Sequence, residues 1–519
     1  MVEDVGGRGS CQARVFANCR AYTLDAANTI AEAIVVRDAL IEAACSVEDA
    51  RRIAPHAEWV DLGGKTVVPG FIDSHNHLLH FGISATRAAD LSGCTSIEEL
   101  LNRLRGFRNA NPQAPWLLGQ RFDQELLGRW PTKADLDLVS PDSPAMVTRL
   151  CLHALAANSA ALAPVKSKLS REQFETGILT EDATGLIWSQ LPDPTEKELR
   201  SAALWAMSEA RRVGLTGVHC IIEGAQDLQV IRSLHREHLT PVRLTVICPF
   251  SMREQLSSEG LRTGAGDEWL RIGGLKVFLD GAMGARTAAM REPFSDDPGN
   301  CGTLFRNERE LAEVLRDAQT HGFQASIHAI GDRAVECALE GIGLAKGHAN
   351  EGNVLRHRIE HASQMAGDLV KQMARMNVIA GVQPQFVLTD FWTHERVGTE
   401  RYRWSYPFKT MLDAGITLAM GSDCPVERLD PVELIDRAVN REPRSLHERL
   451  SVEETLRAYS RGSAYAGFAE NVLGSLEPGK LADFVVLSTD IFAVRPKDVA
   501  DIKIEATVVG GEMRDRSRK

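Results

Sequence analysis

Short, almost wholly apolar runs recur along this chain. Between them lie longer stretches in which apolar residues return every three or four positions. Runs of the first kind fit strands buried on both faces of a parallel sheet, and the longer stretches fit amphipathic helices. Eight runs qualify: residues 67–73 leading to His75, 215–219, 242–248, 274–279, 323–327 leading to His328, 358–360 leading to His361, 378–382, and 417–420 followed by Gly421, Ser422 and Asp423. Helices fit between several of them. T-E-K-E from Thr195 reads as a capping box, Leu199, Ala203, Ala206, Ala210 and Val213 follow at helical spacing, and Gly214 stops the helix. Residues 308–320 form a second helical segment, and S-V-E-E from Ser451 caps a third. Eight strands alternating with helices predict an α/β fold, a (β/α)8 TIM-type barrel.

Two regions fall outside the barrel. The stretch from about 86 to 194 is far too long for a βα loop and carries probable strands of its own at 116–119 and 145–150. It is expected to be a lid or insertion subdomain between the first two barrel strands. Residues 12–66 hold short β-like runs such as 31–36, and 483–487 and 504–509 supply more. Pairing of the two ends predicts a small β-sandwich built from both termini. The expected domains are therefore 1–66 and 469–519 for the sandwich and 67–468 for the barrel.

Composition narrows the class. Over 519 residues the chain is 44% hydrophobic and 25% charged, as expected for a globular protein. A net charge of −11 argues against nucleic acid as a partner, because phosphate binding needs a concentrated basic surface. The acidic start M-V-E-D-V-G-G lacks an apolar core for a signal peptide. The apolar small-residue run 152–165 contains His153 and Asn158 and is too short to span a bilayer, so no membrane partner is expected. The ten cysteines are scattered without a CxxC pair, which fits reduced thiols in a cytoplasm.

The chemistry is concentrated at the strand ends. V-V-P-G-F-I-D-S-H-N-H-L, from Val67, places His75 and His77 two apart, so a strand would project both imidazoles from one face toward one metal ion. Active sites of such barrels lie at the C-terminal ends of the strands. There the other runs contribute Lys276 and Asp280, His328, His361 and Asp423. Four histidines, a lysine and carboxylates converging on one rim are poorly explained as surface chemistry.

These motifs resemble a known family. V-P-G-F-I-D-S-H-N-H, S-I-H-A-I-G-D, R-I-E-H-A and A-M-G-S-D-C-P look like the amidohydrolase superfamily. K-V-F-L-D-G-A-M-G-A-R-T-A-A-M from Lys276, L-D-L-V-S-P-D-S-P ahead of Asn158, and G-S-L-E-P-G-K-L-A-D-F-V-V-L from Gly474 narrow the resemblance to amidohydrolase family 3, which includes N-substituted formamide deformylase-like enzymes. The resemblance implies that His75, His77 and Asp423 bind the more buried metal. It implies that His328 and His361 bind a second metal or hold the substrate carbonyl. Lys276 stands where many relatives carry a carbamylated lysine bridging two metals; its alternative is a salt bridge to Asp280 or a substrate contact. One or two zinc ions are the expected cofactors. Asp423 would also move a proton from the attacking water to the leaving amine.

Weaker candidates surround this set. His153 matches a family position near the pocket, or is a packed histidine. Asp280 is a further substrate-binding candidate. Arg286 could bind an anionic group, although a salt bridge is the favoured reading. His80 and Trp404 could line the pocket, and Cys220 after His219 stands where relatives often show an acidic residue. The function expected is metal-dependent hydrolysis of a C–N bond, in an amide or N-substituted formamide, by metal-activated hydroxide. The apolar content of the insertion suggests an uncharged or aromatic small-molecule substrate. The alternatives are an ester or lactone hydrolase with the same metal site and, from another class, a metal-free binding or assembly protein; a deaminase is less favoured. By analogy with relatives that are often dimers, a homodimer is expected.

Overall fold

The computed structural model describes residues 13–149, 154–180, 182–345 and 353–515. Eight parallel strands form one sheet: β1 (Phe71–Asn76), β2 (Leu215–Ile221), β3 (Arg243–Pro249), β4 (Leu270–Phe278), β5 (Ala325–Ala329), β6 (Arg358–His361), β7 (Ile379–Val382) and β8 (Leu418–Met420). They pair in sequence order, and helices intervene, so this is the expected (β/α)8 barrel. Between β8 and β1 the seam is stitched just beyond the strands, where Asp423 N–H donates to the His75 carbonyl at 2.7 Å and His77 N–H to the Cys424 carbonyl at 2.8 Å. Gly421 makes this approach possible: a Cβ there would meet the His75 nitrogen at 2.4 Å.

The helices form where their caps and apolar stripes direct. Glu308–Thr320 starts at a capping box of Asn307 and Glu310 and buries Leu311, Ala312, Leu315 and Ala318. The Thr195–Glu198 and Ser451–Glu454 boxes also form, opening helices Glu196–Arg212 and Val452–Arg457. Among the described residues no helix is long and apolar enough to cross a membrane.

Residues 67–73, expected as one barrel strand, belong to two. Glu58–Pro69 runs in a second sheet and the barrel begins only at Phe71. Pro69 and Gly70 make the break, and a Cβ on Gly70 would lie 2.2 Å from the Thr216 hydroxyl of β2. The fifth strand begins two residues later than expected, at Ala325, which brings His328 inside it.

The second sheet takes strands from both ends of the chain. Its seven strands run in the order Glu512–Asp515, Ile504–Val509, Phe484–Leu487, Glu58–Pro69, Arg14–Tyr22, Ile30–Arg37 and Leu40–Cys45. Phe16, Ile34, Phe484 and Val508 pack on one face, and Val15, Val35, Ala50 and Ala54 on the other. Residues 79–205 form a separate compact unit. Its five-stranded sheet contains Leu117–Phe122 and Ala145–Arg149, close to the strands expected there. Separate apolar clusters, one around Leu104 and Phe122 and one around Leu155 and Leu162, fill it.

Asp483 ties the terminal sheet to the barrel. Its carboxylate accepts from Arg243 of β3 at 2.7 and 2.9 Å and from the Gly510 N–H at 2.8 Å, and both charged side chains are 4% exposed. Removing one partner strands a buried charge, at a cost of about 3–5 kcal/mol. Asp483→Ala is therefore expected to lower the urea midpoint of unfolding clearly; an unchanged midpoint would mean that water replaces the pair without loss.

Candidate active site

The C-terminal ends of the barrel strands bring together His75, His77, Lys276, His328, His361 and Asp423. Asp423 Oδ1 lies 3.4 Å from both His75 Nε2 and His77 Nε2. One ligand atom from each of these three residues falls within 4.8 Å of the others. Lys276 Nζ is 3.3 Å from His75 Nε2. The His361 ring centroid is 4.9 Å from that of His75 and 4.5 Å from that of His328. Lys276 thus faces His75, and among the described residues it forms no salt bridge to Asp280.

Local backbone geometry explains how neighbours in sequence reach this rim. Arg358 and Glu360 share the inward face of β6 by period 2, so His361 would point outward. Its φ of 73° turns the chain at the strand end and brings the imidazole back to the rim. Asp423 has a φ of 58° and is turned in the same way after β8. Asp73, two residues before His75, braces the loop that carries Asp423: it accepts from the Ser422 N–H at 3.0 Å, the Ser422 hydroxyl at 2.6 Å and Asn76 Nδ2 at 3.0 Å.

Beneath the rim lies a charged pair. Arg358 and Glu360 are wholly buried, with Arg358 Nε 2.5 Å from Glu360 Oε1. Glu360 Oε2 lies 2.6 Å from His75 Nδ1. A carboxylate held by a guanidinium can only accept, so His75 Nδ1 carries the proton and Nε2 presents its lone pair to the rim. Arg358 also donates to the Ser74 carbonyl at 2.9 Å and approaches His219 Nδ1 at 3.1 Å, linking β6 to β1 and β2. Gly381 leaves room for the pair, since a Cβ there would meet Glu360 Oε2 at 2.3 Å. Gln383 orients His361 likewise: its Nε2 donates to the Gly381 carbonyl, so its Oε1 accepts from His361 Nδ1 at 2.9 Å.

Burial keeps most of these histidines neutral. Desolvation, and then the charge of Lys276, holds His75 well below the ordinary imidazole range. Desolvation and the neighbouring His328 do the same to His361. His328 is pushed down to about 3 by burial and Lys276, and His219 to about 3 by burial and Arg358. Burial lowers the Lys276 ammonium too. His77 is the exception: burial opposes its charge, but the carboxylates of Asp423 and Glu223 outweigh that and raise it. Neutral imidazoles are what a metal ion requires.

A cavity of about 320 Å³ opens beside His77 and Lys276, between the ends of β2, β3 and β4. Several expected substrate residues are held by other partners. Asp280 is buried and accepts from the Ala289, Ile330 and Gly331 N–H groups at 2.9, 3.0 and 2.9 Å; desolvation pushes it up to about 7. It braces the loops after β4 and β5, and its Oδ1 lies 3.5 Å from His328 Nε2 at the rim. Arg286 pairs with Asp296 at 2.8 Å, the salt bridge favoured for it. Trp404 packs on Gly367, where a Cβ would lie 2.9 Å from the indole. His80 is exposed, and His153 lies outside the described residues. His219 and Cys220 are buried within β2, and His219 serves Arg358 from inside the barrel. The residues that sequence reasoning missed are Asp73, Arg358, Glu360 and Gln383. Arg358 and Glu360 had a signal, two opposite charges at i and i+2 of a strand buried on both faces.

The model of the amidohydrolase family matches residues 58–514. The chain belongs to the amidohydrolase family. It is 28% identical over 96% of its length to the N-substituted formamide deformylase of Arthrobacter pascens, covering 97% of that protein. It is 31% identical over 87% of its length to the protein LONG AFTER FAR-RED 3 of Arabidopsis thaliana, covering 83% of it. The crystal structure of an uncharacterized metal-dependent hydrolase from Pyrococcus furiosus superposes with a TM-score of 0.82 at 33% identity, over 92% of this chain and all of that one. This amidohydrolase is accordingly a hydrolytic enzyme.

The residues fit a metal ion. Asp423 Oδ1 is buried and makes no hydrogen bond, although two imidazole nitrogens face it. Such an orphan costs free energy unless a cation satisfies it. Glu360 sets the His75 lone pair toward that point. Glu360→Gln is therefore expected to weaken metal binding about 10–100-fold, read as faster loss to a chelator. Affinity equal to wild type would show that His75 is oriented without it.

Proposed function

We propose that this amidohydrolase cleaves a C–N bond, in an amide or N-substituted formamide, with one or two zinc ions. The observation that carries the reading is Asp423 Oδ1, buried without a hydrogen bond and set between His75 and His77. The likeness to an N-substituted formamide deformylase supports the choice of bond.

His75, His77 and Asp423 would hold the first ion. A divalent cation supplies, when bound, Lewis-acid polarisation of the carbonyl and a lowered pKa for water. Asp423 takes the proton from the attacking water and delivers it to the amine nitrogen as the C–N bond breaks. His361, with its Nδ1 proton committed to Gln383, offers a lone pair at Nε2 for a second ion. His328 donates from Nε2 to the Gly281 carbonyl at 3.0 Å, which fixes its ring at the rim. Lys276 as an ammonium would repel both ions. Reaction of its neutral amine with CO2, releasing a proton, would give an anionic carbamate whose oxygens would be suitable ligands for a divalent cation there.

Asp423→Asn is expected to lower kcat at least ~100-fold on an N-substituted formamide, with circular dichroism unchanged. His77→Ala should release the metal and abolish turnover. Full activity in either variant would remove this site from the chemistry. Intact mass should show one added CO2 on the holoenzyme, absent from Lys276→Met; an unmodified lysine in a two-zinc enzyme would overturn the carbamate.

A further inference from the structure

We propose that this enzyme reads a carboxylate on its substrate through Arg306, which borders the same cavity as His77 and Lys276. The inference deepens the proposed function and rests on it for the catalytic readout. Its binding readout is independent of hydrolysis.

The cavity is lined mainly by apolar side chains, among them Ile221, Ile222, Phe250 and Phe278. Three charged side chains besides the histidine border it: Lys276, Glu223 and Arg306. Lys276 and His77 belong to the reacting end. Glu223 stands beside His77, with its carboxylate 3.8 Å from His77 Nδ1 and 76% exposed, so an anionic group is disfavoured there. Arg306 is the remaining cation on the cavity wall.

Arg306 is also held ready. Its Nη1 donates to the Phe278 carbonyl at 2.8 Å, which anchors the guanidinium to the end of β4. Among the described residues it has no carboxylate partner. Neighbouring arginines differ: Arg253 pairs with Asp317, Arg286 with Asp296 and Arg333 with Glu308. A guanidinium has five N–H donors in a planar fork suited to a carboxylate. One bond to a carbonyl leaves most of that capacity for a ligand.

Phe278 lies two residues beyond Lys276 on β4, which is about 7 Å along a strand. Lys276 and Arg306 border one cavity of about 320 Å³, a volume that accommodates a molecule carrying one aromatic ring or a short alkyl chain between a scissile carbonyl and a carboxylate. The substrate class is an N-formyl or N-acyl compound whose apolar body ends in a carboxylate. As the amine leaves and gains a proton, Glu223 is placed to favour it.

The test compares N-benzylformamide with p-(formamidomethyl)benzoate on zinc-loaded wild type, Arg306→Gln and Arg306→Lys. Wild type is expected to favour the carboxylate probe by about tenfold or more in kcat/KM, chiefly through KM. Arg306→Gln should erase that preference and leave the neutral probe within about twofold, while Arg306→Lys retains part of it. In parallel, calorimetry measures p-toluate and p-toluamide on the same holoenzymes. Arg306→Gln should weaken p-toluate about tenfold and leave p-toluamide unchanged. A wild type indifferent to the carboxylate, or a variant that weakens both members of a pair equally, overturns the proposal and leaves Arg306 as a brace for β4. If neither formamide is hydrolysed, the formamide reading fails, and the p-toluate comparison still decides the role of Arg306.

Discussion

The site depends on one buried interaction, the Arg358–Glu360 pair inside the barrel. Two charges are taken out of water there, and such pairs seldom add stability over a well-packed apolar core. Their value lies in direction. Arg358 fixes the plane of the Glu360 carboxylate, and Glu360 fixes the proton and the ring of His75. Contacts of Arg358 with the Ser74 carbonyl and His219 spread this constraint over β6, β1 and β2. Gly381, on the adjacent strand, is small because the pair fills the space a side chain would need.

Around this floor the rim is built by turning strand ends inward. His361 and Asp423 both adopt positive φ, a conformation that costs free energy for a residue with a side chain and persists where the surroundings over-determine it. Asp73 and the hydrogen bonds across the β8–β1 seam supply that determination for Asp423. The outcome is a set of mostly neutral histidines facing one carboxylate oxygen that makes no hydrogen bond. Neutral imidazole, anionic oxygen and a dry wall are the requirements of a hydrolytic metal centre.

Much of this was legible in the sequence, and the exceptions have identifiable causes. His75 and His77 stood out because two histidines at period 2, closing an apolar run, project from one face of a strand toward one point. His328, His361 and Asp423 followed from the rule that barrel strands carry chemistry at their C-terminal ends. The run 67–73 misled because apolar composition does not show that a strand changes sheets, and the close approach of Gly70 to Thr216 is long-range. Asp280 and Trp404 were singled out by position in the chain. The structure commits the first to backbone N–H groups and the second to packing on Gly367.

By itself the sequence determined the alternation of strands and helices, the eightfold count, the helix caps and the residue types available at the strand ends. These are consequences of local periodicity and of hydrogen bonds within four residues. Only the tertiary structure decided which strands from the two ends of the chain share a sheet. It also decided that Glu360 faces His75, that Asp280 is a brace, and that Arg306 borders the same cavity as Lys276. Each of those depends on residues tens to hundreds of positions apart. Their distance and burial are set when the barrel closes, and no local pattern encodes them.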